Sequence, residues 1–142
     1  MPHNKPNGPE YAVPLSHPQQ RILYTELANP NTSFASLPYV GRFPEPTSTV
    51  AIEEAMIGCI KASDCLRTRF LEIEGAVKQY IANDLPNPIE TLDFLNRQSD
   101  YDAWLERELN RPIALFDGPL YRAAILLLPD GATGYYINVH HA

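Results

Sequence analysis

Only two cysteines occur in the 142 residues, Cys59 and Cys65, too few for a disulfide framework. On one continuous helix this pair would project about 120° apart and could not share a metal. Buried or idle thiols are therefore expected. Cations are scarce too: eleven Lys and Arg face seventeen Asp and Glu, for a net charge of -6. Phosphate recognition needs clustered Lys and Arg, so a nucleic-acid partner is excluded. No apolar run approaches the roughly 20 residues that span a bilayer, and no charged-then-apolar leader opens the chain. No membrane association and a cytoplasmic location are expected. Also missing are a Gly-x-Ser-x-Gly elbow for a serine nucleophile, a Gly-rich phosphate loop after a strand, and any His/Cys/carboxylate cluster at metal spacing. Neither a metal nor a cofactor bound by the chain is expected.

What is present suits one globular unit. Apolar residues make up 44% and charged residues 20%, a balance ordinary for a single soluble domain. Fourteen prolines punctuate the chain without forming a repeat, and mark turns between short elements. Residues 1–13, polar and rich in Pro and Gly, read as a flexible N-terminal segment; residues 14–142 form the folded unit.

Helical and strand signals alternate through that unit. Ser16 before Pro18 reads as a cap and a first-turn proline, opening a helix to about Leu27 with Ile22, Leu23 and Leu27 along one side. Residues 36–43 read as a strand whose Pro38 restricts it to an edge. From Val50 to about Ser63, Ile52, Ala55, Met56, Cys59 and Ile60 trace a helical stripe, with Glu53 and Glu54 favourable in the first turn. Residues 67–73 and 76–82 read as a hairpin around Glu74-Gly75, and residues 89–94 as a further strand. A second amphipathic helix is expected over about Asp100–Asn110, capped by Ser99, with Tyr101, Trp104, Leu105 and Leu109 as its stripe. Residues 121–128 and 134–141 are strands joined at Pro129-Asp130-Gly131. The pattern predicts an α+β fold, a mixed sheet with packed helices.

The last strand carries the chemistry. Side chains alternate faces along a strand, so Tyr135, Ile137, Val139 and His141 share one face and Tyr136, Asn138 and His140 the other. Adjacent histidines on a strand cannot both reach one reacting atom, so any functional pair must divide its labour. Alone, such a pair is more simply a satisfied core histidine or a frayed chain end. Ser16-His17 is not triad geometry, and Glu53-Glu54 and Glu106-Arg107-Glu108 read as solvated helix faces.

Motifs elsewhere give the pair its context. Pro14-Leu15-Ser16, followed by Gln19 and an apolar stretch ending in Tyr24, resembles the opening motif of condensation domains from nonribosomal peptide synthetases. Leu66-Arg67-Thr68-Arg69-Phe70 resembles their Leu-Arg-Thr-x-Phe motif. Phe116-Asp117 with Gly118-Pro119-Leu120-Tyr121-Arg122 is similar to their Phe-Asp and Gly-Pro-Leu-x-Arg stretch, here without the usual spacer. His140-His141 matches the start of His-His-x-x-x-Asp-Gly; no Asp-Gly follows it in these 142 residues. The matches run in the family's order from residue 14 onward. Tyr24 stands where tryptophan is common.

This resemblance implies the N-terminal lobe of a two-lobe, chloramphenicol acetyltransferase-like domain, truncated within the histidine motif. By position His141 matches the catalytic histidine and His140 the structural one. Arg67 matches the arginine that pairs with the motif's aspartate; lacking that aspartate, it is expected to turn towards water. The implied reaction is amide-bond formation between a carrier-bound acyl or peptidyl thioester and a carrier-bound aminoacyl amine. The implied partners are carrier domains bearing phosphopantetheine thioesters and the C-terminal lobe, with the isolated chain inactive. A stand-alone coenzyme A-dependent acyltransferase of the same fold, and a non-catalytic remnant or carrier-binding module, are the other readings.

Overall fold

The computed structural model describes residues 8–30, 32–83, 88–116 and 118–142. In chain order the elements are a 3-10 turn (Pro9–Tyr11), β1 (Val13–Pro14), α1 (His17–Ala28), β2 (Ser36–Arg42), α2 (Thr49–Ala62) and α3 (Asp64–Arg67). There follow β3 (Thr68–Ile73), β4 (Ala76–Ile81), β5 (Glu90–Asp93), α4 (Gln98–Leu109), β6 (Tyr121–Leu127) and β7 (Thr133–His140). The strands form a small sheet, β1-β4-β3, and a larger one, β2-β7-β6-β5, in which only β5 and β6 run parallel. The architecture is α+β with a mixed sheet.

The larger sheet is packed on both faces. Phe94, Trp104, Ala124, Leu126, Leu128 and Tyr136 join α4 to one face, with Trp104 edge-on to Tyr136 at 5.2 Å between ring centroids. Ile52, Ile60, Ile89, Tyr121 and Ile125 join α2 to the other. A third cluster, Leu15, Leu23, Phe70 and Leu120, ties α1 to the small sheet.

Local chemistry sets several boundaries. Ser16 and Gln19 form a reciprocal capping box at the start of α1, and the Gln19 side chain also bonds Gln79 of β4. Glu74 and Gly75 both take positive φ (54° and 76°), the left-handed pair that matches the twist of a two-residue hairpin. Pro38 lies in β2, an edge strand, where its missing N–H costs no ladder bond on the open side.

Other expectations need correction. Gly8 N–H bonds Ile81 C=O and Val13 pairs with Gln79, so residues 8–13 carry regular structure where a flexible segment was expected. Residues 1–7 lie outside the described residues, as does Asp117. Leu27 and Leu109 are exposed, while Glu26 and Glu108 take the buried stripe positions of α1 and α4. Ser99 is inside α4, which starts at Gln98 without a side-chain cap. Because α2 starts at Thr49, Glu53 sits beyond the first turn; it is half-buried and accepts from Ile89 N–H at 3.3 Å. Cys59 and Cys65 are both exposed, and they occupy different helices because α2 ends at Ala62.

Candidate functional site

β7 is the centre of the larger sheet's site end. It pairs with β2 in a register that sets Ser36 opposite His140, and with β6 so that Tyr121 lies opposite Val139. The alternation expected from sequence holds: Tyr136, Asn138 and His140 are buried, while Tyr135, Ile137 and Val139 are half-buried. His141 is exposed just past the strand. Backbone bonds fix both histidines, His140 N–H to Leu120 C=O at 2.9 Å and His141 N–H to Ala35 C=O at 2.8 Å. The His141 ring makes no hydrogen bond among the described residues.

His140 is the opposite case. Its Nε2 bonds the Glu26 carboxylate, and its Nδ1 accepts from Ala142 N–H at 3.1 Å. Both partners of the ion-pairing contact are nearly dry, with side chains 1% and 9% exposed. Glu26 was missed from sequence. The available signal was its place three residues after Leu23, on the buried side of α1, where a carboxylate needs a partner.

Arg67 stays partly buried and paired instead of turning to water. Its Nη2 donates to Asp64 Oδ1 at 2.8 Å and its Nη1 to Ala82 C=O at 3.1 Å, with 17% of the side chain exposed. The short α3 places Asp64 one turn before Arg67, which supplies a local counter-ion. Among the described residues no bond joins Arg67 to either histidine, and its buried Nε has no acceptor.

Two further features frame the site. Asn138 is fully buried, and neither its Oδ1 nor its Nδ2 has a partner among the described residues. On the face of β7 that carries His141, Tyr135 and Ile137 join Phe43, Ile52, Met56 and Leu66 around an apolar cavity of about 260 Å³. Among the described residues no group of His, Cys, Asp and Glu is placed to hold a metal ion. No helix among them is long and apolar enough to cross a membrane.

The condensation-domain model matches residues 10–142. The chain belongs to the condensation-domain family. Surfactin synthase subunit 1 of Bacillus subtilis is 31% identical over 90% of this chain, and the phosphinothricin tripeptide synthetase PhsC of Streptomyces viridochromogenes 28% over 91%. The chain spans only 4% and 12% of those relatives' lengths. Among solved structures, the starter condensation domain of rhizomide synthetase, as a mutant bound to C8-CoA, superposes with a TM-score of 0.83 at 21% identity. That match covers 93% of this chain and 31% of that one. A related mutant of that domain has been solved with both C8-CoA and Leu-SNAC. The first condensation domain of the calcium-dependent antibiotic synthetase gives a TM-score of 0.76, covering 92% of this chain and 33% of that one. The fold of this condensation-family chain is thus a chloramphenicol acetyltransferase-like lobe, the N-terminal half of the two-lobe architecture.

Proposed function

We propose that this chain supplies the catalytic histidine of an amide-forming acyl transfer, with His141 as that histidine, His140 as its structural anchor and Arg67 as a structural arginine of the lobe. The observation that carries this reading is the division between the two rings: His140 is bonded at both nitrogens inside the lobe, and His141 stands open on the next residue. A neutral imidazole is the fitting group at neutral pH, where it accepts or steers a proton. The amine of a carrier-bound aminoacyl group attacks the carbonyl of a carrier-bound acyl or peptidyl thioester. The tetrahedral intermediate collapses as the C–S bond breaks, the amine's proton is lost, and the released thiolate takes up a proton. The products are the amide and the free phosphopantetheine thiol. His141 holds the amine in line and takes its proton or steadies the intermediate. The apolar cavity beside Tyr135 and Ile137 offers surface for the apolar part of the acyl donor.

With His141 open to water, the chain by itself does not desolvate a reaction. It needs the C-terminal lobe across the site, and partner carrier domains to bring both thioesters. The phosphopantetheine arms arrive with those carriers as parts of the substrates.

The test mixes acyl- and aminoacyl-loaded carrier proteins with the chain alone and with the chain plus a separately expressed C-terminal lobe. Amide product should form only in the mixture, and His141→Ala should abolish it. Binding of the second lobe without product in the unmutated mixture would leave an interaction module.

A further inference from the structure

Glu26, on α1, is bonded to the ring of His140, which in turn holds the backbone just after His141. We infer that Glu26 is a positioning residue for His141, acting through His140 and the Ala142 amide. This inference rests on the proposed catalytic role of His141.

The geometry fixes the direction of each bond. Ala142 N–H donates to His140 Nδ1, so Nδ1 carries a lone pair and the ring proton sits on Nε2. Nε2–H then donates to the Glu26 carboxylate. The other tautomer would set two N–H groups against each other at Nδ1 and two acceptors against each other at Nε2. Glu26 therefore selects one ring state. A ring in that state closes a loop over His140, His141 and Ala142, with His141 in the middle.

A purely structural role for Glu26 would not need this arrangement. A carboxylate 8% exposed on a helix is costly to bury, and a leucine would fill the position with less penalty. The ring it holds is the only side chain among the described residues that bonds the backbone flanking His141. At its far end the His141 amide is tied to Ala35 C=O, so the histidine is pinned on both sides. Losing the Glu26 contact frees one of those two pins. The expected result is a wandering imidazole on an otherwise folded lobe.

The experiment has two readouts. In the chain alone, long-range proton–nitrogen correlation spectra report the His140 tautomer, and amide exchange reports the Ala142 hydrogen bond. In the mixture with the C-terminal lobe, turnover and KM for the loaded carriers are measured. The wild type should show the Nε2–H tautomer and a protected Ala142 amide. Glu26→Ala should lose the single tautomer and that protection, with turnover down by about tenfold or more at unchanged KM. Glu26→Gln keeps an acceptor at the same reach and should recover most of both, and it answers for any folding defect in the alanine variant. A wild-type His140 protonated at Nδ1 would overturn the inference, as would a folded Glu26→Ala that keeps tautomer, amide protection and turnover. If His141→Ala remains active, the catalytic reading fails while the spectra still decide whether Glu26 sets the ring.

Discussion

Arg122 Nε donates to Glu108 Oε2 at 3.0 Å beneath the last turn of α4. The same guanidinium donates to the carbonyls of Pro112 at 2.9 Å and Arg111 at 2.7 Å, and more weakly to Glu108 C=O at 3.4 Å. One side chain thus neutralises a buried carboxylate and ties down the carbonyls of the segment that leaves α4. Arg122→Ala should destabilise the chain by about 3 kcal/mol, because it strands a nearly dry Glu108 with only the exposed Arg111 beside it. Arg122→Lys should recover less than half, since an ammonium cannot span that fork of acceptors. Urea unfolding of the three proteins checks this; a lysine variant as stable as wild type would show that charge alone matters.

Asn138 should be the exception among core positions. Most buried substitutions destabilise, but here two amide atoms are buried without partners among the described residues, and each carries a desolvation cost. Asn138→Val removes both, keeps a strand-favouring side chain, and should raise stability by about 1–2 kcal/mol. Thermal unfolding is the measurement. A fall in stability would mean that the amide is satisfied in solution by an internal water.

The residues that resisted sequence reading share a cause. The Ser16 cap of α1, the Glu74-Gly75 turn and the alternating faces of β7 were legible because each depends on residues close in sequence. At the ends of α1 and α4, Leu27 and Leu109 were assigned to the buried stripe, while Glu108 was read as solvated and Glu26 was missed. In both helices periodicity assigned the leucine to the core. The fold instead buries the acid, because His140 and Arg122 come to meet it from strands laid down much later. Arg67 was misread for the opposite reason. Its counter-ion, Asp64, is local, but it serves only because α3 breaks from α2 at Ser63.

Acid should weaken the β6–β7 connection. The Arg42 side chain bonds Asp130, and with the Ala132 amide it holds the Asp130 carboxyl below its ordinary range. A carboxyl whose pKa is lower folded than unfolded adds stability above the unfolded value, and that contribution disappears as pH falls through the folded value. Asp130→Asn should therefore be less stable than wild type near neutrality. The gap should close below about pH 3.9, the usual aspartate value. Melting temperatures of both proteins across that range measure it; a gap that persists in acid would place the effect in the turn geometry instead of the charge. Added salt should narrow the gap at neutral pH, since both side chains are about half exposed.

Gly41 and Tyr135 face each other across β2 and β7, and the tyrosine ring lies over the glycine. A Cβ built on Gly41 would come within 2.1 Å of the ring, far inside contact distance. Tyr39 and Phe43 flank the ring at centroid distances of 6.0 and 5.8 Å, so it cannot shift without disturbing those contacts or entering the cavity it lines. Gly41→Ala should cost about 1–3 kcal/mol by forcing this overlap. Tyr135→Val alone should also destabilise, through lost contacts with those rings. The double variant should be less destabilised than the sum, since the methyl then enters space that the ring has left. Tyr135 also lines the cavity on His141's face, so Gly41→Ala should shift binding of an apolar acyl probe while leaving the His140 tautomer intact. Strict additivity in the unfolding cycle would mean that the ring moves freely, and the tight seat of Tyr135 over Gly41 would not be what shapes that cavity.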